Sequence, residues 1–261
     1  MDDAGGVIDL RGRTAVVVGA SSGIGRAVAA ELTRRGAAVG WCGRRADVLA
    51  EAIGAAGGEG TSVSLPADIS TEAGCRSVAA TAHERLGPLD LLVVASGTSG
   101  VTMLRDADAE CWDQLLRTNV VGPSLVVRHL LGHFATDAVV AMLSSESVGR
   151  PYAGLVPYAA SKAALEELIR GWRAEHPELR FARVTVGATD GTEFARDFDP
   201  ELMGALFTRW VAAGVIPDRL MHADQVGASI AHTLARAVLV PGIDVQDLVL
   251  RSPGGPMRLP T

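Results

Sequence analysis

The sequence from Thr14 to Arg26 is TAVVVGASSGIGR. Its first five residues form an apolar, mostly β-branched run, which is the pattern of a strand buried on both faces. A glycine-rich turn follows and leads into a helical pattern that ends near Arg35. Such a turn lets backbone amides and the positive end of a helix approach a phosphate group, although ordinary strand-to-helix turns also use glycine. The turn residues that we expect to contact a nucleotide are Gly19, Ser21, Ser22, Gly23, Ile24 and Gly25.

The same alternation of apolar strands and helical patterns continues along the chain. Predicted strands cover residues 14–18, 37–42, 61–65, 89–95, 138–143, 181–186 and 245–250. After the first helix, predicted helices cover residues 47–55, 71–86, 108–132, 158–174, 193–213 and 223–236, with Ser70 or Thr71 as the N-cap of the second of these. Strands separated by helices of this length form parallel βαβ units with right-handed crossovers.

These units predict one α/β domain over residues 1–261, a doubly wound Rossmann-type fold of three layers with a mostly parallel seven-stranded sheet. Its core spans about residues 10–250, and a turn-rich tail follows over residues 252–261. Residues 187–217 are the least regular stretch, which we expect to form a mobile flap.

Composition excludes several classes of protein. A hydrophobic fraction of 48% excludes a disordered chain, and a formal net charge of −6 argues against a nucleic-acid-binding protein. No apolar run approaches the roughly 18 residues of a membrane helix, and the acidic N-terminus lacks the pattern of a signal peptide. Three widely spaced cysteines fit neither a disulfide framework nor a metal site. We therefore expect a cytoplasmic protein that binds no metal, no membrane and no nucleic acid.

The tip of the second predicted strand carries arginine where many dinucleotide-binding folds carry an acid. In those folds a carboxylate about 20 residues after the glycine loop binds the ribose hydroxyls. Here Cys42 and Gly43 are followed by Arg44 and Arg45. Guanidinium groups bind a 2′-phosphate that a carboxylate would repel, so the arginines favour NADP(H) over NAD(H). The alternative is that both arginines only form the solvated start of the next helix.

Tyr158 and Lys162 lie four positions apart and therefore share one face of a predicted helix. Lys162 is the only lysine among 24 basic residues. Lowering the tyrosine pKa by about 3 units requires roughly 4 kcal/mol, which an ammonium group and an oxidised nicotinamide can supply together. Ser144 and Ser145 end the fifth predicted strand and should meet Tyr158 at the carboxyl edge of the sheet. Asn119 lies within a predicted helix, where asparagine indicates either a hydrogen bond at a kink or a site role.

Together these motifs resemble the short-chain dehydrogenase/reductase family, in its single-domain branch. The residues that carry the resemblance are Gly19, Gly23 and Gly25 in G-x-x-x-G-x-G spacing, Asn119, Ser145, and Tyr158 with Lys162. The resemblance covers about residues 10–250 and implies that Tyr158 is the acid/base and that Ser145 holds the substrate oxygen. It also implies that Lys162 binds the nicotinamide ribose and lowers the pKa of the tyrosine, and that Asn119 holds a water in a proton relay.

The resemblance implies further cofactor contacts, and at some positions this sequence differs from the family's motifs. Asp68 and Ile69 match the pair at the adenine ring, Thr192 matches a threonine at the nicotinamide amide, and Gly97 is the surviving glycine of an Asn-Asn-Ala-Gly motif. Val18 replaces the usual threonine before the first glycine, and the Pro-Gly after the sixth strand is missing, so contacts from residues 187–192 are in question.

The sequence therefore predicts an oxidoreductase that interconverts a small-molecule carbonyl and a secondary alcohol with NADP(H). A catalytically silent NADP(H)-binding sensor or scaffold of the same fold is the alternative. A dehydratase or epimerase of the family is disfavoured by the glycine spacing and the short chain. The resemblance also implies a homo-oligomer, a dimer or tetramer, and apolar residues along 120–131 are consistent with such a contact.

Overall fold

A computed structural model describes residues 8–196 and 198–257 of the chain. The strands in this part are β1 (Thr14–Val18), β2 (Ala38–Gly43), β3 (Ser62–Pro66), β4 (Leu89–Val94), β5 (Phe134–Ser145), β6 (Arg180–Val186), β7 (Thr189–Asp190), β8 (Met221–His222) and β9 (Asp247–Leu250). The α-helices are α1 (Gly23–Arg34), α2 (Ala46–Ala56), α3 (Glu72–Leu86), α4 (Ala109–Leu116), α5 (Gly122–Leu130), α6 (Val156–Glu175), α7 (Pro200–Ala212) and α8 (Ala223–Leu239). Within these residues no helix has both the length and the apolar surface needed to cross a bilayer.

Seven of the strands form one sheet in the order β3-β2-β1-β4-β5-β6-β9, and every pairing in it is parallel. The Rossmann-type fold predicted from the sequence is confirmed. The strand order reverses between β1 and β4, where Val18 pairs with Val94 and Val94 pairs with Met142. The carboxyl ends of β1, β4 and β5 therefore meet at the point where sheets of this kind bind ligands. Strands β7 and β8 form a separate two-stranded ribbon.

Helices cover both faces of the sheet, as the continuous apolar strands predict. Ala15 and Val17 of β1 pack in the layer that contains α1 and α8, whereas Val16 and Val18 pack in the layer that contains α3, α5 and α6. Each of these side chains is at most 2% exposed. Complete burial of a valine side chain contributes roughly 1.5–3 kcal/mol to the stability of the fold. Because successive side chains of β1 point to opposite faces of the sheet, this one strand stabilises both helical layers.

The helix predicted over residues 108–132 contains a π-helical turn over Arg117–Val121. The Gly122 amide donates to the Arg117 carbonyl, five residues back. Pro123 has no amide hydrogen and so cannot make the ordinary helical bond to Asn119. A Cβ atom on Gly122 would lie 2.6 Å from the Ile69 carbonyl oxygen, so the close packing of this turn on the loop after β3 requires glycine.

The helix predicted over residues 193–213 is wrong at its start. Helix α7 begins at Pro200, and the Asp199 side chain caps it by accepting the Leu202 amide at 2.8 Å. Proline is favoured at the first helical position, and the residue before it avoids helical backbone, which places the boundary here. Residues 191–196 instead form bends and turns beside the sheet edge. At α3 the cap is Thr71, one of the two predicted residues.

Candidate active site

The glycine loop after β1 packs so closely against its neighbours that no side chain fits at Gly19 or Gly25. A Cβ atom on Gly19 would lie 2.6 Å from the Ser96 amide nitrogen, and one on Gly25 would lie 2.2 Å from the Gly19 carbonyl oxygen. Helix α1 begins at Gly23, and its N-cap Ser22 makes no capping hydrogen bond, whereas side chains cap α3, α4 and α7. The first amides of α1 are therefore available to an anion, which fits the pyrophosphate of a dinucleotide.

Tyr158 and Lys162 lie on the first turns of α6, beside the ends of β4 and β5. Both side chains are buried. The Lys162 Nζ lies 6.0 Å from the centroid of the Tyr158 ring and donates a hydrogen bond of 2.9 Å to the Leu143 carbonyl. A Cβ atom on Gly97 would lie 3.3 Å from this Nζ and 3.3 Å from Asn119 Oδ1. The fold thus brings the predicted tyrosine, lysine, asparagine and glycine to one place.

The protein surroundings of Tyr158 raise the pKa of its phenol to about 12. Burial is the main cause, and the interaction with the Ser145 side chain lowers this pKa by less. Burial likewise lowers the pKa of Lys162 to about 8. The ammonium group of Lys162 bonds a main-chain oxygen, and burial disfavours both charged forms. The lowering of the tyrosine pKa that we expect from the ammonium group together with an oxidised nicotinamide stays a prediction.

Ser145, the last residue of β5, is oriented by Ser147. The Ser147 amide and hydroxyl both donate to Ser145 Oγ, at 3.2 and 3.0 Å. Since the acceptor side of the Ser145 hydroxyl is engaged in this way, its own hydrogen is free to point toward Tyr158. The sequence reasoning missed Ser147, although the Ser-Glu-Ser spacing after the strand was visible.

Asn119 is fully buried in the π-helical turn and ties two elements together. Its Oδ1 accepts the Thr98 amide at 2.8 Å, while Nδ2 donates to the Thr98 carbonyl and to Ser161 Oγ, each at 2.9 Å. Both donors of the amide therefore have protein partners, and the water that the resemblance implies for Asn119 stays a prediction. In this structure Asn119 positions the loop after β4 against α6.

The residues predicted to bind the adenosine half of the cofactor differ in their exposure and in their partners. Arg44 is exposed and makes no ion pair within residues 8–196 and 198–257, whereas Arg45 Nη2 pairs with Glu193 at 2.9 Å. Asp68 is exposed and accepts the Ser70 amide, and Ile69 is buried in the core.

Four further predicted cofactor residues lie at or near the glycine loop. The Thr192 Cα would lie 3.4 Å from a Cβ atom on Gly23, which places residue 192 over the start of α1. Ser21 and Ser22 are half-buried, and Ile24 packs against the core. In the described part of the chain no three His, Cys, Asp or Glu side chains are grouped as a metal site.

The sequence of residues 13–202 matches the family model for short chain dehydrogenases. This match covers more than half of the chain. The chain belongs to the short-chain dehydrogenase family.

Individual relatives agree with this assignment. The short-chain dehydrogenase/reductase FrzI of Cladobotryum sp. is 33% identical over 167 residues, which cover 62% of this chain and 64% of that protein. The NADPH-dependent pterin aldehyde reductase of Arabidopsis thaliana is 33% identical over 162 residues, which cover 60% of this chain and 66% of that protein. The matches span less than two thirds of the length of either relative.

A solved structure shows the same fold. The alcohol dehydrogenase of the archaeon Thermococcus sibiricus, solved in complex with 5-hydroxy-NADP, is similar with a TM-score of 0.75 and 24% identity. The similarity covers 95% of this chain and 99% of that chain.

This short-chain dehydrogenase also has a partly buried ionic network behind Ser145 that sequence reasoning missed. Glu166 of α6 accepts the Ser144 hydroxyl at 2.6 Å and Arg183 of β6 at 2.7 Å, and Arg183 also pairs with Asp247 of β9 at 2.7 Å. Glu166 lies one turn after Lys162, a spacing that suggests an ion pair within the helix. The fold instead directs its carboxylate to β5 and β6, so no local signal identified these partners.

In place of the missing Pro-Gly after β6, Glu146 anchors the chain. Its Oε1 accepts the Ala188 amide at 2.9 Å and the Tyr152 hydroxyl at 3.2 Å. The Gly187 amide bonds the Leu250 carbonyl at 2.9 Å. These contacts hold the start of the loop that leads to Thr192 at the end of β5, through a side chain that follows Ser145 directly.

Proposed function

We propose that this protein is an NADP(H)-dependent oxidoreductase that interconverts a carbonyl and a secondary alcohol, with Tyr158 as the acid/base. The observation that carries the proposal is the meeting of Ser145, Tyr158 and Lys162 at the carboxyl edge of the sheet, next to an uncapped glycine-loop helix. When bound, the nicotinamide supplies the hydride.

The chain's own residues would act on the substrate oxygen and its proton. A phenol with a pKa near 12 holds its proton at neutral pH, so Tyr158 is in the form that donates to a developing alkoxide. Ser145, whose acceptor side is engaged by Ser147, donates a second hydrogen bond to the same oxygen and stabilises its charge. For the oxidation direction the phenolate is needed, and Lys162 together with the positive nicotinamide would favour it.

The preference for NADP(H) rests on charge at the tip of β2. Arg44 is exposed beside the glycine loop, and no carboxylate follows β2 at the position that would bind ribose hydroxyls. The Arabidopsis relative, whose name includes NADPH dependence, is consistent with this preference. An Arg44→Gln variant should weaken binding of NADPH and leave that of NADH unchanged.

An apolar substrate fits the surroundings of Tyr158. The Phe194 ring lies 5.3 Å from the Tyr158 ring, edge to face, and Phe198 follows at 5.4 Å from Phe194. Phe198 packs on a cluster that includes Leu206 and Trp210. We expect a mid-sized carbonyl compound with an apolar or aromatic body, because these apolar side chains would stabilise a ligand whose apolar surface they bury.

The decisive experiment compares Tyr158→Phe with the wild-type protein in NADPH oxidation against a panel of aromatic and aliphatic ketones and aldehydes. Tyr158→Phe should lower kcat by about 10²–10⁴-fold while the Kd for NADPH stays within about twofold. Tyr152→Phe removes the same atom from a tyrosine that contacts Glu146 rather than Ser145, and it should stay within about fivefold of wild type. A Tyr158→Phe enzyme with more than about a tenth of wild-type turnover would refute the role.

The same assay separates the enzyme from the silent alternative. Tight NADPH binding without consumption of NADPH on any carbonyl would favour a sensor or scaffold.

We also propose a homo-oligomer that associates through the helices around the π-helical turn. Leu116 and Val121 are 38% and 43% exposed there. Light scattering of the purified protein tests this, and a monomeric mass would refute it.

A further inference from the structure

Residues 191–196, here called the strap, lie along the edge of the glycine loop and the catalytic tyrosine. On one side of Glu193, Thr192 lies against Gly23. On the other side, the Phe194 carbonyl accepts the Ser99 hydroxyl at 2.6 Å, and the Phe194 ring contacts Tyr158. The strap is therefore anchored before and after Glu193, which holds the carboxylate in a defined place.

The Glu193 carboxylate lies against the guanidinium group of Arg45. Glu193 Oε1 and Oε2 accept Arg45 Nη2 at 2.9 and 3.0 Å, and the Ser22 side chain of the glycine loop also interacts with this carboxylate. Burial would raise the pKa of Glu193, but Arg45, Arg196 and Ser22 outweigh it, so the pKa lies below the ordinary value. At neutral pH Glu193 is an anion bound by a guanidinium group and a hydroxyl at the start of α1.

A phosphate monoester uses the same donors. Arginine and hydroxyl groups beside a helix N-terminus bind phosphate through charge-assisted hydrogen bonds. Because Glu193 is tethered by the strap, its effective concentration at Arg45 is high and a free anion must displace it. When an anion displaces Glu193 from Arg45, Glu193 can still pair with Arg196, whose Nη1 lies 2.7 Å from Glu193 Oε1.

We infer that Glu193 is a specificity-determining residue that competes with the cofactor's 2′-phosphate for Arg45. The inference rests on the proposed NADP(H) dependence. Glu193 occupies Arg45 in the free protein, NADP(H) binds by replacing the carboxylate with its phosphate, and NAD(H), which has no such phosphate, leaves the pair intact. Glu193 thereby reduces the advantage that Arg45 gives to NADP(H).

Binding constants test the competition without reference to turnover. Calorimetry would measure the Kd of NADPH, NADH and adenosine 2′,5′-bisphosphate for wild type, Glu193→Gln, Arg45→Gln and the double variant. Both side chains of the pair are 40% exposed, and exposed pairs shift an equilibrium by up to about fivefold. Glu193→Gln should therefore tighten NADPH and the bisphosphate by about threefold to fivefold and change NADH by less than twofold. In the Arg45→Gln background the effect of Glu193→Gln should vanish.

Glu201→Gln is the matched control, because it removes the same charge from an exposed position on α7. It should change none of the three constants. The inference is overturned if Glu193→Gln weakens NADPH, changes NADPH and NADH equally, or acts without Arg45. If wild type prefers NADH yet Glu193→Gln still tightens the bisphosphate through Arg45, the competition stands and the assignment of NADP(H) fails. If wild type prefers NADPH and Glu193→Gln has no effect, the competition fails and the proposed function stands.

Discussion

Replacing Glu166 with glutamine should destabilise the protein far more than the same change at its neighbour Glu167. Glu166 is buried and accepts hydrogen bonds from Ser144 and Arg183, at 2.6 and 2.7 Å. Glutamine removes the charge and presents an N–H group to one of these donors. Breaking a buried ion pair costs about 3–5 kcal/mol when the remaining charge is left without a partner.

The expected loss is smaller than that range because Arg183 is 30% exposed and keeps Asp247 at 2.7 Å. We therefore expect Glu166→Gln to lower the free energy of unfolding by about 2 kcal/mol, and to lower Tm by about 4–8 °C for a chain of this size. Urea and thermal denaturation followed by circular dichroism measure both quantities.

Glu167→Gln is the control, because Glu167 is 73% exposed and, among the residues that the structure describes, pairs only with Arg170 one turn away on the surface. Its loss should stay below about 0.5 kcal/mol. Since Ser144 precedes Ser145, Glu166→Gln should also lower kcat while the Kd for NADPH is unchanged. Equal destabilisation by the two substitutions would show that the network behind β5 does not stabilise the fold.

Two further substitutions test the lysine and the glycine loop. The pKa of Lys162 is about 8 in the folded chain against 10.5 ordinarily, so between these values the unfolded chain holds the extra proton and stability rises with pH. At about 1.4 kcal/mol per pH unit, the free energy of unfolding of wild type should rise by up to about 3 kcal/mol relative to that of Lys162→Met between pH 8 and 10.5. Urea denaturation across this pH range measures both, and an equal pH dependence of the two proteins would contradict the prediction. Gly25→Ala should abolish NADPH binding or folding, because its Cβ would lie 2.2 Å from the Gly19 carbonyl oxygen. Gly54→Ala meets nothing within 4 Å and should instead stabilise α2 by about 0.5–1 kcal/mol, so equal damage by both would refute the packing argument.

Much of the fold was predictable because its signals are local. The apolar run from Ala15 to Val18 supplies side chains to both layers, and the glycine spacing of the turn after it is visible in the sequence itself, although the contact that requires Gly19 is with Ser96 after β4. The helix start predicted at residue 193 was wrong, although Pro200 marks the boundary in the sequence because the residue before a proline avoids helical backbone. The π-helical turn at Asn119 follows from Pro123, four residues later, where the sequence indicated either a hydrogen bond at a kink or a site role.

The sequence by itself determined the order of strands and helices, the glycine loop and the spacing of Tyr158 and Lys162, because each depends on residues within about one helical turn or one strand. Only the tertiary structure decided the partners of Arg45 and Glu166. Arg45 pairs with Glu193, 148 positions away, and Glu166 pairs with Arg183 rather than with Lys162 on its own helix. The high pKa of Tyr158 has the same origin, since burial is produced by the packing of the whole chain around the phenol and not by its neighbours in sequence.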